Sequence, residues 1–412
     1  MKSINRFKLA SCFTILGPGL VVMLADTDAG SLIVSAQSGA VWGYQLLLQQ
    51  FILIPVLFIA QELAVRLGLA TGMGHGELIK KYFGKSWAVL SVSTLLVCCV
   101  GALLTEFSGL AAVGEIFGVP VWQTMCVVVT FLTVIAWTGS YNSVERVAIF
   151  FGIFELVFIW LAIRAHPDMK EVVAGMLNIP WKNTSYLYLV AGNIGAVIMP
   201  WMIFFQQSAV LDKGLNITHL GAARWDTAIG AVITQMIMAS ALIITAATIG
   251  KMQPNTPLNT ITEISGAITS IMGPTAGRIL FALGMAGAAL VATIVVSLTA
   301  AWGVGEVLGF RRSLEDHPFE APWFYGLYTM ILILSAVLIA SDFINLVNLS
   351  VAVEVMNALL LPIVLGFLYL LARYALPEKY ALKGWYGIVV AVVLLITSSL
   401  GLVAGILGCF AV

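Results

Sequence analysis

Apolar runs separated by short polar connections fill the chain from residue 10 to residue 411. A helix crosses a bilayer with roughly 20 apolar residues, so the pattern predicts eleven spans: 10–38, 43–68, 87–117, 120–140, 146–165, 186–211, 224–249, 275–309, 322–341, 344–373 and 385–411. Several exceed the length of one crossing and are expected to tilt or to extend beyond the bilayer. The expected fold class is an all-α polytopic membrane protein. The start, "MKSINRFKLASCFTILGPGL", runs straight into the first span and reads as a retained segment rather than a cleaved signal peptide.

Composition agrees. The chain is 60% hydrophobic and 10% charged, with a mean hydropathy of +1.02, whereas soluble domains carry about 25% charged residues. Net charge is zero, which removes any case for nucleic-acid binding. The sign distribution orients the chain. Fifteen basic residues, from Lys2, Arg6 and Lys8 through Arg146 to Lys379 and Lys383, fall on the side of the N-terminus; five (Arg164, Lys170, Lys182, Lys251 and Arg278) fall on the other. The positive-inside rule then places the N-terminus in the cytoplasm and the C-terminus outside, with the plasma membrane as the expected location. The five cysteines, Cys12 included, lie in or beside apolar segments and form no CxxC pair; they read as small buried hydrophobes. The four histidines fall in polar connections and no HExxH occurs, so a zinc-protease reading has no support.

Two spans carry helix breakers in matching places. The first contains "GPGLVVMLADTDAGS", where Pro18 and Gly19 can kink the helix and Gly30, with Asp28 and Ser31, can unwind it. The sixth contains "AGNIGAVIMPWMIFFQQ", with Gly192, Gly195 and Pro200 close together. Pro200 has no amide and clashes with the Ala196 carbonyl, which is thereby released from the helix. Interrupted helices in equivalent positions of two halves mark transporter binding sites. Spans 1 and 6 are five apart, and because five is odd the second half must be inverted. The expected organisation is a first five-helix repeat (1–165), an inverted second repeat (166–373) and one additional helix (374–412).

Five acids lie deep in the spans: Asp26, Asp28, Glu106, Glu155 and Glu354. A carboxylate at the bilayer centre is costly enough to presume a function. No base lies near these acids in sequence, so a cation or a proton must neutralise them. Glu62, Glu115, Glu306 and Asp342 lie nearer span ends and are expected to be wet. The interrupted segments offer the Asp28 carboxylate, the Ser31 hydroxyl, the Ala196 carbonyl and the Met199 thioether. Oxygens alone suit magnesium, calcium or manganese, and a thioether adds affinity for softer ions, so this set favours Mn²⁺ or Fe²⁺.

These residues resemble the Nramp family of divalent metal transporters. In that family the first helix carries Asp-Pro-Gly-Asn after "GPG"; here Asp28-Ala29-Gly30-Ser31 occupies that motif. The family's sixth-helix pattern "GxxGAxxMPHN" is matched at Gly192, Gly195, Ala196, Met199 and Pro200. "QELAVRLGLATG", "LLTEFSGLAAVGEIFGVPV" and "AGRILFALGMAGAALVATIVVSLTAAWGVGEVLGF" are similar to its second, third and eighth spans. The resemblance implies a leucine-transporter-type fold, import of Mn²⁺ or Fe²⁺, and a metal held by Asp28, Ser31 in place of asparagine, the Ala196 carbonyl and Met199. Gly30, Gly192, Gly195 and Pro200 would serve as hinges, and Asp26, Glu106 and Glu354 would support the ion or its waters. The departures concern protons. Trp201 and Gln206 stand where the family has histidines, and Leu103 stands where it has an acid, so proton coupling is expected to be weak or absent. The shorter Ser31 and the extra acids Asp26 and Glu354 leave a roomier, more anionic site, and Mg²⁺ carried with part of its water is the alternative. A sodium-coupled organic-solute transporter is a remote alternative. No enzyme is expected, since no nucleophile, base and orienting group converge in the spans. No bound cofactor is expected either. The partners are the divalent ion and the lipid bilayer, and the chain is taken as a monomer.

Overall fold

The structure, a computed structural model, describes residues 17–410 apart from 139 and 342–345. Lys2, Arg6, Lys8, Cys12, the opening of the first span and Asp342 lie outside the described residues. Among the described residues the protein is 83% helix with no strand. The helices are α1 (Pro18–Asp26), α2 (Ala29–Trp42), α3 (Leu47–Thr71), α4 (His75–Phe83), α5 (Lys85–Ile116), α6 (Val121–Trp137), α7 (Tyr141–Gly152), α8 (Val157–Arg164), α9 (Met169–Leu177), α10 (Thr184–Val197), α11 (Pro200–Asp212), α12 (Leu220–Ala247), α13 (Ile249–Met252), α14 (Ile261–Met272), α15 (Pro274–Leu308), α16 (Pro322–Ala340), α17 (Leu346–Tyr374) and α18 (Gly384–Cys409). Boundaries follow local chemistry. Pro18, Pro200, Pro274 and Pro322 sit at helix starts, where a missing amide is harmless. Gly72 and Gly309 end α3 and α15 in the left-handed conformation.

Nine helical segments are long and apolar enough to cross a membrane, and α1 with α2, bent by 47° at their junction, make a tenth. The span expected over 120–140 is α6, 17 residues long. That is shorter than the others, so the count reaches ten among the described residues. The sixth span, α10 with α11, is the most enclosed, with 89% of its apolar stretch buried, against 33% for the fifth and 39% for α18. The fifth span is itself divided: a 3-10 turn, Ile153–Leu156, joins α7 to α8. The outer faces carry exposed apolar residues such as Val127, Val134 and Ile163.

The seventh span, α12, lies along both halves of the broken first helix. Towards α1, Asp226 accepts from the Gly17 and Gly19 amides at 3.1 and 2.8 Å, and the Thr234 hydroxyl donates to the Met23 carbonyl. Towards α2, the Thr245 hydroxyl donates to the Ala36 carbonyl at 2.8 Å. A Cβ at Gly39 would collide with the Leu242 carbonyl, so glycine is what lets the two backbones meet.

Two acids expected to be wet are buried. Glu62 is 2% exposed and receives Arg66 at 2.5 Å and Arg224 at 2.7 Å. Glu306 is equally buried and caps α4: its Oε2 accepts from the Gly76 amide at 2.7 Å and its Oε1 from the Ser208 hydroxyl at 2.6 Å. Position near a span end did not predict exposure because neighbouring helices supply partners there: Arg224 of α12 with Arg66 at Glu62, and Gly76 of α4 with Ser208 of α11 at Glu306. Glu115 is exposed as expected. His75, read as part of a polar connection, is fully buried at the start of α4, with Nδ1 3.1 Å from the Gln207 carboxamide oxygen. Burial, only partly offset by that bond, lowers its pKa to about 4. The unfolded side chain takes up its proton near 6.5. The stability due to the neutral packed ring is therefore whole above about pH 6.5 and is lost as pH falls towards 4. The melting temperature of the solubilised protein should fall over this window, and fall less steeply in His75→Gln.

Candidate metal centre

Both predicted interruptions exist, but neither falls on a glycine. The first lies at Thr27–Asp28, between α1 and α2, and the second at Ile198–Met199, between α10 and α11. Gly30 sits inside the first turn of α2, and Gly192 and Gly195 sit inside α10. Their lack of a side chain serves close approach instead. A Cβ on Gly30 would stand 2.5 Å from Glu354 Oε1, and one on Gly195 would overlap the Glu354 carbonyl. Gly192 faces a methyl of Val34.

Three of the four expected ligands are joined. Asp28 is the N-cap of α2, its Oδ1 accepting from the Ser31 amide at 2.6 Å. The Ser31 hydroxyl donates across the gap to the Ala196 carbonyl at 2.9 Å. Pro200 begins α11 without an amide, which leaves that carbonyl available. All three residues are fully buried, and Asp28 Oδ2 has no hydrogen-bond partner. Met199 is the N-cap of α11; its sulfur accepts from Trp201 Nε1 at 3.2 Å. Among the described residues no hydrogen bond ties it to the Asp28–Ser31–Ala196 chain.

The supporting acids surround this chain. Glu106, from α5, accepts from the Ala29 amide at 3.0 Å and from the Thr105 hydroxyl at 3.2 Å. It therefore shares with Asp28 the positive end of α2. Glu354, from α17, accepts from Asn357 at 2.9 Å through Oε2, and its Oε1 has no partner. Both Asp26 oxygens lack partners. Leu103 and Trp201 are buried, as is Gln206, whose carboxamide has no hydrogen bond among the described residues. Glu155 was legible only as a deep acid without a role; it accepts from the Thr27 hydroxyl, at the break itself. The signal that could have found it is an acid in a span whose neighbouring Gly152 permits a close helix crossing. Groups of three or more His, Cys, Asp or Glu side chains able to hold a metal do not occur among the described residues. The interrupted segments also present a hydroxyl at Ser31 and a carbonyl at Ala196 beside the Asp28 carboxylate.

Residues 19–406 match the family model described as "Nramp: Natural resistance-associated macrophage protein-like". The chain belongs to the Nramp family. Nramp proteins are transporters and not enzymes. Similar relatives include the divalent metal cation transporter MntH of Klebsiella pneumoniae, 26% identical over 351 residues, covering 83% of this chain and 81% of the relative. Another is the MntH of Staphylococcus aureus, 30% identical over 221 residues, covering 52% and 48%. Among solved structures, an Eremococcus coleocola manganese transporter superimposes with a TM-score of 0.75 at 19% identity, over 96% of this chain and 87% of that one. The transporter MhsT, crystallised with L-phenylalanine, gives 0.65 at 14% identity over 95% and 98%. These likenesses give this Nramp chain the leucine-transporter-type architecture.

Proposed function

We propose that the chain imports a divalent metal cation, Mn²⁺ or Fe²⁺ in preference, by alternating access, with the ion between the interrupted parts of the first and sixth spans. The observation that carries this is the 2.9 Å separation of Ser31 Oγ and the Ala196 carbonyl oxygen beside the unpartnered Asp28 Oδ2. An octahedral cation with metal–oxygen bonds of about 2.1 Å has adjacent ligand oxygens about 3.0 Å apart. The two oxygens can thus serve as neighbouring ligands once the hydroxyl proton turns away. Asp28 supplies charge. Met199 supplies the soft donor by exchanging its bond to Trp201 for one to the metal. Asp26, Glu106 and Glu354 hold the negative potential or the ion's waters. The relatives named above as divalent metal cation transporters support the substrate class.

Movement would occur at Thr27–Asp28 and Ile198–Met199, with Gly30, Gly192, Gly195 and Pro200 beside these joints. The repeats would run 1–165 and 166–373, with 374–412 added, α6 as a short eleventh span, and a monomer in the plasma membrane with its N-terminus cytoplasmic. With Leu103, Trp201 and Gln206 in place of titrating groups, proton coupling would be weak or absent. Mg²⁺ is the second reading. It is favoured by the engagement of the Met199 sulfur with Trp201 and by the number of surrounding carboxylates, which suit a partly hydrated ion.

Calorimetric titration of the purified protein with Mn²⁺ and with Mg²⁺ separates the two readings. Met199→Ala should weaken Mn²⁺ binding by about tenfold and leave Mg²⁺ nearly unchanged if the sulfur is a ligand. An equal effect on both ions, or on neither, overturns the soft-donor assignment.

A further inference from the structure

The break in the first span has two faces. Asp28 opens α2, whereas Asp26 closes α1, fully buried and with neither carboxylate oxygen hydrogen-bonded. The charged groups that bear on Asp26 are Asp28, Glu354 and Glu155, with no base among them. Glu155 comes from the fifth span, is fully buried, takes the Thr27 hydroxyl on Oε2 and leaves Oε1 without a partner. The span changes from α to a 3-10 turn around this residue, a feature that often marks a functional position. The approach is made close by Gly152, where a Cβ would run into Leu24 of α1. On the other flank Gly287 of α15 rests on the Phe151 carbonyl.

We propose that Asp26, Thr27 and Glu155, at the C-terminal end of α1, bind a second cation, a hard one coordinated wholly by oxygen and separate from the divalent ion at Asp28. Two buried carboxylates without a base are strongly unfavourable as anions unless a cation or a proton neutralises them, and a cation that bridges them displaces the proton. The carbonyl end of a helix favours positive charge as well. The donors are carboxylate and hydroxyl, with neither sulfur nor imidazole, so a soft transition metal is excluded and Na⁺ or an alkaline-earth ion fits. This goes beyond the function proposed above, in which Asp26 only supports the transported ion.

The test uses the full chain in detergent, with ²²Na⁺ and ⁴⁵Ca²⁺ as separate probes and unlabelled Mg²⁺ as competitor against the second. Asp28→Ala, which removes the first site, should still bind one of the two labels saturably at one per chain. The label that binds identifies the ion class. Adding Glu155→Gln should weaken that binding at least tenfold, and Thr27→Val, which keeps both carboxylates, should weaken it less. Binding of neither label by Asp28→Ala, or equal binding with and without Glu155→Gln, overturns the proposal. Should Asp28→Ala instead hold Mn²⁺ as well as wild type does, the Asp28 reading fails, and the Glu155→Gln comparison made in the wild-type background still decides the second site.

Discussion

Asp28→Ala is expected to abolish metal-dependent uptake into proteoliposomes, while Asp26→Ala only weakens it. Asp28 is the carboxylate that belongs to the chain of donors linking the two interrupted spans, and its Oδ2 is buried without a partner. Removing it takes away both the charge proposed to draw the ion and the cap that shapes the first turn of α2. The loss of the cap alone costs about 1 kcal/mol. Asp28→Asn separates the two effects, because an amide oxygen still accepts from the Ser31 amide. That variant should fold and melt like wild type yet fall in transport by about a hundredfold or more, since a neutral oxygen does not compensate a dehydrated divalent ion. Uptake by Asp28→Ala or Asp28→Asn equal to wild type would remove the site.

The second large effect is structural. Gly195→Ala places a methyl on the Glu354 carbonyl, backbone against backbone, where neither partner can give. Overpacking a rigid contact costs about 1–3 kcal/mol, and this one is at the upper end because no rotamer relieves it. The variant should show a melting temperature several degrees lower and a reduced yield of monodisperse protein. It should also bind metal poorly, since α10 carries the Ala196 carbonyl and α17 carries Glu354. Gly192→Ala is the control: its nearest neighbour is a Val34 methyl at 3.3 Å, which can shift, so its effect should be small. Similar melting of the two variants would show that the α10–α17 contact is looser than described.

The sequence made the interrupted spans legible because breakers and buried acids are conspicuous in an apolar chain. The observed breaks lie beside Asp28 and Pro200, two of the residues read as breakers, and away from the glycines. Glycine was taken as the point of unwinding, whereas Gly30, Gly192 and Gly195 are helical and serve contacts with residues far along the chain, which a linear pattern cannot display. Pro200 stands at the start of α11, where the effect of its missing amide is local and therefore readable from sequence. Ser31 and Ala196 were legible as donors because each lies at an interruption, whereas the hydrogen bond that joins them spans 165 residues. Glu62 and Glu306 were misjudged because depth was inferred from position along a span, while their burial comes from Arg66, Arg224, Ser208 and the start of α4 folding over them. Glu155 could not be placed because its partner, Thr27, is 128 residues away.

α12 works as a splint for the fractured first helix. The first fragment, α1, is lashed to it by three polar ties, from Asp226 to two amides and from Thr234 to the Met23 carbonyl. A bare joint of two residues would wag through a continuum of angles. With the splint in place, a small tilt already strains every lashing, while only complete release lets the freed groups find water. Were α1 to tilt in a transport cycle, such ties would favour a latch with two settings over a loose pivot, with half-tilted postures thinly populated.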